Sequence, residues 1–245
     1  MGEVIAVLSG KGGTGKTSVC AGIATALSEG GLRVLAIDCD VGLRNLDISL
    51  GLADRAALSF LDLSEGHYTF DQVIPHPDYP SLYFLTAPMT RTPERISLEA
   101  FTAMLRAART RFDYILLDAP AGVDAGFRLA ASGADRCILV TGPDPAAIRD
   151  AERTADILEL MGKRHTRLIV NRVNPKMVST MDVTIDDVMD SAGLPLLGIV
   201  PEDTNVTLAA SFGKSLLRQT KKGAAAACRR IAKRIQGIPE PINIR

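Results

Sequence analysis

The stretch Ser9-Gly10-Lys11-Gly12-Gly13-Thr14-Gly15-Lys16-Thr17-Ser18 carries the residue types and spacing that handle a phosphate chain. It fits Gly-x4-Gly-Lys-[Ser/Thr], with Gly10 and Gly15 as the outer glycines and Lys16-Thr17 closing the motif. Glycines let a backbone approach an anion closely, and successive N–H groups at a helix start form a cradle where the helix dipole favours negative charge. Gly12, Gly13, Thr14, Gly15, Lys16, Thr17 and Ser18 are therefore the candidate nucleotide contacts. Lys16 can reach β- and γ-phosphate oxygens, and the Thr17 hydroxyl can ligate Mg²⁺. Downstream, Asp38 and Asp40 follow one apolar run and Asp118 ends another. The second is the Walker B arrangement, in which the aspartate holds Mg²⁺ through a coordinated water.

These side chains need elements to position them. Val4 to Leu8 is short and apolar, as a buried strand is, and Val19 to Leu27 has helical spacing, so the glycine loop joins strand to helix. Arg33 to Asp38 predicts a second strand, Leu82 to Thr86 a third, Phe112 to Asp118 a fourth and Arg136 to Thr141 a fifth. Leu168 to Val170 and Leu196 to Val200 complete the series. Helices are expected at Leu58–Leu63, from Ser97 through Ala108, at Ala146–Met161, at Asp182–Met189, from Asn205 to Phe212 and at Lys221–Gln236. This alternation predicts one α/β domain, a three-layer, doubly wound and mostly parallel sheet with helices on both faces. In such sheets ligands lie beyond the C-terminal ends of strands, so Asp38 and Asp40 should face the loop.

The second lysine, Lys11, narrows the reading. Lys-Gly-Gly-Thr-Gly-Lys-Thr resembles the deviant Walker A motif of the MinD/ParA family of P-loop ATPases. Asp38-x-Asp40-x-Gly-Leu-Arg44-Asn45-Leu-Asp47 resembles the switch I of its MinD-like members. That resemblance implies ATP and Mg²⁺ as cofactors and a homodimer formed on ATP binding, with Lys11 reaching the partner's nucleotide. It gives Lys11, Lys16 and Asp40 the catalytic roles, Asp40 orienting the attacking water. Thr17, Asp38 and Asp118 become the metal set, Asp38 acting through water. Arg44, Asn45, Asp47, Gly122 of Ala119-Pro120-Ala121-Gly122, and Asp150 of Ile-Arg-Asp-Ala become switch and dimer positions. Asn171-Arg172 and Pro201-x-Asp203 become the adenine contacts.

Composition excludes other classes. The 245 residues are 47% hydrophobic and 23% charged, with zero formal net charge, enough for a sizeable core and without a global field for polyanions. Cys20, Cys39, Cys137 and Cys228 are scattered with no CxxC, and His67, His76 and His165 form no ligand pattern, so a metal-cluster carrier and a zinc site are not expected. A metabolic kinase would need an acceptor pocket, which no motif marks. No signal peptide or apolar run of membrane length is visible, so the cytoplasm is the expected location, with peripheral attachment at the inner face of the membrane as a family trait.

From Lys214 onward the chain has nine basic residues and one acidic, Glu240. Residues 1–237 read as the ATPase domain and 238–245 as a short tail. Pro239 and Pro241 forbid the amphipathic membrane helix that such chains usually carry there. The expectation is thus a slow, partner-stimulated ATP hydrolase acting as a spatial switch in division-site placement, with a protein activator and an effector. The alternative is a ParA-type partition ATPase using the basic helix on nonspecific DNA.

Overall fold

The computed structural model describes residues 1–41, 43–53, 55–88, 96–174 and 184–242. Seven strands form one sheet: β1 (Glu3–Leu8), β2 (Val34–Asp38), β3 (Leu82–Leu85), β4 (Tyr114–Asp118), β5 (Arg136–Thr141), β6 (Thr166–Val173) and β7 (Leu196–Pro201). Their spatial order is β3-β2-β4-β1-β5-β6-β7, and every described pairing is parallel. Around the sheet lie α1 (Lys16–Glu29), α2 (Leu46–Leu50), α3 (Phe60–Ser64), α4 (Leu98–Ala108), α5 (Ala125–Gly133), α6 (Pro145–Leu160), α7 (Ile185–Ala192), α8 (Thr204–Ser211), α9 (Leu216–Gln219) and α10 (Gly223–Ile235).

Helices on both faces explain why the strands are continuous apolar runs, since alternate residues enter two separate cores. Ile5, Val7, Ala36, Leu116 and Ile138 face α1 and α10. Val4, Ala6, Leu35, Ile115 and Leu117 face α3, α4 and α5. A third cluster packs α6 and α7 on β5, β6 and β7. Helix α1 is buried nearly all round, because α10 covers it from outside. The two helices meet where a Cβ on Gly22 would stand 2.5 Å from the Cys228 Sγ, so only glycine fits there.

The expected architecture and all seven strands are present; several helices differ at their ends, and α2, α5 and α9 go beyond the helices the sequence predicts. The helix expected from Leu58 starts at Phe60, because Ser59 caps it in a capping box with Asp62. The helix expected at Asp182–Met189 runs Ile185–Ala192 from a Thr184–Asp187 capping box to Gly193, while residues 182 and 183 lie outside the described residues. Ser97 caps α4, its hydroxyl accepting from the Ala100 N–H. Ala224, Ala227, Cys228, Ile231 and Ile235 form a buried stripe along α10.

Basic residues of that helix are engaged within the chain. Arg229 pairs with Glu29, and Lys233 pairs with Glu240. Arg234 donates to the carbonyls of Leu197, Glu240 and Pro241, which folds the proline-containing segment back over α10. Among the described residues no helix is long and apolar enough to cross a membrane.

Candidate nucleotide site

The loop after β1 opens onto α1 with its donors uncommitted. Gly15 precedes the helix at φ 82°, no side chain caps it, and no acidic residue stands in its first turn. Uncapped N–H groups at a helix start suit an anion. Gly12 and Gly13 are exposed, and a Cβ built on either would meet nothing within 4 Å. Gly10 is different: a Cβ there would stand 2.6 Å from the Asp150 carbonyl oxygen and 2.4 Å from the Thr154 Oγ1. The first glycine is needed so that the loop can lie against α6.

Strand register brings the carboxylates to this loop. Asp118 is the sheet partner of both Val7 on β1 and Asp38 on β2, so the two aspartates sit side by side at strand ends. Lys16 reaches across to Asp118, Nζ to Oδ1 2.6 Å, and both side chains are buried. The Thr17 hydroxyl lies 3.4 Å from the same Nζ. Burial pushes the Asp118 carboxyl above its ordinary value, with Lys16 opposing. Burial, and then the neighbouring Asp118 charge, pushes Asp38 from 3.8 to about 6. The half-buried Asp40 is also raised by burial, against the pull of Lys16. Lys16 therefore bears on Asp118 and Asp40, and with Asp38 beside them three carboxyl groups have their ionised forms disfavoured.

Asp38 has a task that its position in the sequence did not reveal. Its Oδ1 accepts from the Asp40 N–H, and its Oδ2 accepts from the N–H groups of Asn45 and Leu46. One buried carboxylate thus ties Asp40 to Asn45 and Leu46, at the two ends of the loop before α2, and caps that helix. Within that loop Arg44 has φ 43°, a left-handed conformation uncommon for a bulky residue. Its buried Nε has no hydrogen-bond partner among the described residues. Asp47 accepts from the Ile48 N–H and lies 4.0 Å from the Arg44 guanidinium. On the opposite wall Gly122, at φ 89°, donates its N–H to the Ser9 carbonyl and joins the segment after β4 to the start of the phosphate loop.

Lys11 points elsewhere in the single chain. Its Nζ donates to Asp144 Oδ1 at 3.2 Å. The same Oδ1 caps α6 by accepting from the Ala147 N–H. Asp144 was not among the candidates. Asp before Pro145 signals a helix cap in the sequence, but nothing there signals its lysine partner. Asp150 is half-buried one turn into α6, and its contact with the loop is through its carbonyl against Gly10.

Four remaining candidates gather at one pocket. Asn171, Arg172, Pro201 and Asp203 line a cavity of about 500 Å³ with Gly15 and Ser18. Asn171 is buried and donates to the Thr14 carbonyl, and Arg172 donates to the Gly13 carbonyl. Arg172 holds φ 58° to do so. Both residues brace the loop from behind. Asp203 is pushed up by burial, yet N–H donors from Ala224 and Asn205 outweigh that and hold its carboxyl below the ordinary value. It joins the start of α8 to the start of α10.

Residues 5–217 match the CobQ/CobB/MinD/ParA nucleotide binding domain. The chain is 37% identical over 244 residues to the septum site-determining protein MinD of Synechocystis, covering 98% of this chain and 92% of that protein. Among solved structures it resembles the MinC:MinD cell division complex of Aquifex aeolicus, with TM-score 0.90 and 36% identity over 98% of both chains. It also resembles the MinD of Pyrococcus horikoshii complexed with Mg-ADP, with TM-score 0.80 and 25% identity over 96% of both chains.

Proposed function

The chain belongs to the CobQ/CobB/MinD/ParA nucleotide-binding family, in its MinD-like part, and from that premise we propose that it is a cell-division ATPase that binds Mg-ATP and pairs around two nucleotides. The observation that carries this reading is the buried Lys16–Asp118 pair at the mouth of an uncapped helix. An ammonium and a carboxylate held 2.6 Å apart, beside a second buried aspartate, are a phosphate-binding lysine and a metal-binding carboxylate that neutralise each other until a ligand separates them.

The residues fit Mg²⁺ as well as ATP. Among the described residues no group of three acidic, cysteine or histidine side chains stands ready to hold a metal alone. Mg²⁺ characteristically takes one or two protein oxygens plus substrate phosphates and waters. Thr17 would supply a direct oxygen, Asp118 and Asp38 would act through coordinated waters, and the raised carboxyl groups of Asp38 and Asp118 mark a place where added positive charge is favourable. When bound, Mg²⁺ would neutralise charge on the β- and γ-phosphates.

In this reading Lys16 leaves Asp118 for the phosphate chain, and the amides of Gly12 to Ser18 receive the phosphate oxygens. Asp40 orients the attacking water. Lys11 exchanges Asp144 for the nucleotide of a second copy. The Lys11–Asp144 pair is well exposed, at 34% and 53%, and such pairs contribute about 0–1 kcal/mol, so releasing it costs little. Hydrolysis is slow in the isolated chain, because the lysine that completes the site is turned away from it. The timed change between one copy and two would serve as the switch in placing the division site, on the inner face of the cell membrane. The Aquifex relative's assembly as a MinC:MinD complex supports a protein partner here too. Nothing on α10 favours the DNA-partition reading, since Arg229, Lys233 and Arg234 are engaged within the chain.

Sedimentation velocity tests the pairing. With saturating Mg-ATP, Asp40→Ala should form a stable dimer, and adding Lys11→Ala should leave it nucleotide-bound but monomeric. A monomeric Asp40→Ala protein, or pairing unaffected by Lys11→Ala, would refute the switch.

A further inference from the structure

At the end of the sheet away from the phosphate loop, a cleft of about 390 Å³ opens between the starts of β5, β6 and β7 and the end of α10. Its floor is formed by the edges of the buried side chains Ile5, Ile138, Leu197 and Ile235, with exposed Pro195 at one side, and its rim carries Arg136, Arg164, His165 and Arg167. No acidic side chain is among its lining residues. Of the three guanidinium groups around this hollow, Arg136 is paired with Glu3, which leaves the charges of Arg164 and Arg167 facing the cleft.

The rim is held open for use. Arg136 is fixed by Glu3 and by the Ile235 carbonyl, while its buried Nε has no hydrogen-bond partner among the described residues. Arg164 and Arg167 are exposed and carry no ion pair to any described residue, and His165 beside them is exposed too. Thr166 and Arg167 are paired with Cys137 and Ile138 across the β5–β6 ladder, so Arg136 and Arg167 sit on rigid strand ends, with Arg164 in the connection just before β6. Guanidinium groups match carboxylate and phosphate oxygens in bidentate geometry, and ligand pockets typically combine an apolar bed with a few convergent polar groups.

We propose that this cleft is a second binding site, separate from the nucleotide, for a small organic anion that carries a phosphate on an apolar body. The apolar body lies against Pro195 and the edges of Ile138, Leu197 and Ile235, and the phosphate meets Arg164 and Arg167. A free phosphate ester and the headgroup region of an anionic lipid share this chemistry. The site stands apart from the ATPase reading. Strand β5 runs from Arg136 at the cleft to Thr141 near the loop, about 17 Å at roughly 3.3 Å per residue, so occupancy of one site does not obstruct the other.

The test is titration calorimetry of the full chain with phenyl phosphate, alone and with saturating Mg-ATP, on wild type and on Arg164→Gln/Arg167→Gln. Both substituted side chains are exposed, so the variant should keep the wild-type melting temperature and Mg-ATP binding. Wild type should bind phenyl phosphate equally with and without Mg-ATP, and the variant at least about tenfold more weakly, from two lost charge-assisted contacts. Inorganic phosphate should bind about tenfold more weakly than phenyl phosphate, having nothing to lay on the floor. Co-sedimentation with phosphatidylglycerol/phosphatidylcholine vesicles, lost in the variant, would uphold the site with lipid as its source. Phenyl phosphate binding without vesicle binding upholds it with a soluble source. Displacement of phenyl phosphate by Mg-ATP, equal binding to the variant, or no binding of either phenyl phosphate or vesicles overturns it.

Discussion

Replacing Asp38 by asparagine should leave stability near neutral pH almost unchanged while removing part of its dependence on pH. The buried carboxyl is raised from 3.8 to about 6 by burial and by Asp118. At about 1.36 kcal/mol per pKa unit, its ionised form costs the folded protein roughly 3 kcal/mol. The sign follows from linkage: the folded state holds this proton more tightly than the unfolded chain does. The cost is therefore absent below the unfolded value of 3.8, grows as pH rises between 3.8 and 6, and is complete above about 6. Asparagine removes that cost but keeps only one acceptor oxygen for three N–H donors, which loses about 1–3 kcal/mol by leaving a buried donor unpaired. The two effects offset each other near neutrality. Between about pH 7.5 and about pH 5 the wild type should gain about 1.4 kcal/mol relative to the variant. Urea unfolding of both proteins across that range, without nucleotide, measures the difference directly. Parallel stability curves would mean that Asp38 is not the buried, destabilised carboxylate described here.

Two further substitutions probe the scaffold. Gly10→Ala should abolish Mg-ATP binding in a chain that still folds, because the new Cβ would stand 2.6 Å from the Asp150 carbonyl and push the loop off α6; unchanged affinity by calorimetry would contradict that. Ile231→Ala, at a fully buried position on α10, should destabilise by about 2–5 kcal/mol in denaturant unfolding, and a loss under about 1 kcal/mol would show that α10 is not part of the main core.

Much of the site was legible in the sequence because its parts are local. The glycine loop announces itself within ten residues, and the aspartates end apolar strands whose fate follows from period and length alone. What escaped depends on tertiary distance. The Lys16–Asp118 pair joins residues 102 positions apart, and Lys11 finds Asp144 at 133, so no local pattern signals either. Asp38 reads as a metal-side carboxylate from its place after a strand. Its hold on Asn45 and Leu46 appears only when α2 folds back over the end of β2. Arg229 and Arg234 belong to the basic helix that the sequence offers to DNA, yet Glu29 and the Leu197 carbonyl lie within reach from other elements. Asn171 and Arg172 read as base contacts, and the structure adds that they hold the carbonyls of Thr14 and Gly13. Short α9 lacks the length for a periodic signal, being four residues.

The central claim is that Lys16 and the amides around it receive a magnesium-bound triphosphate. Titration calorimetry of ATP into the purified chain, with Mg²⁺ and with chelator, and into Lys16→Ala, is its most direct test. The account predicts magnesium-dependent binding by wild type and a loss of at least tenfold, about 1.4 kcal/mol, in the variant. Failure of wild type to take up Mg-ATP, or equal affinity in Lys16→Ala, would contradict it.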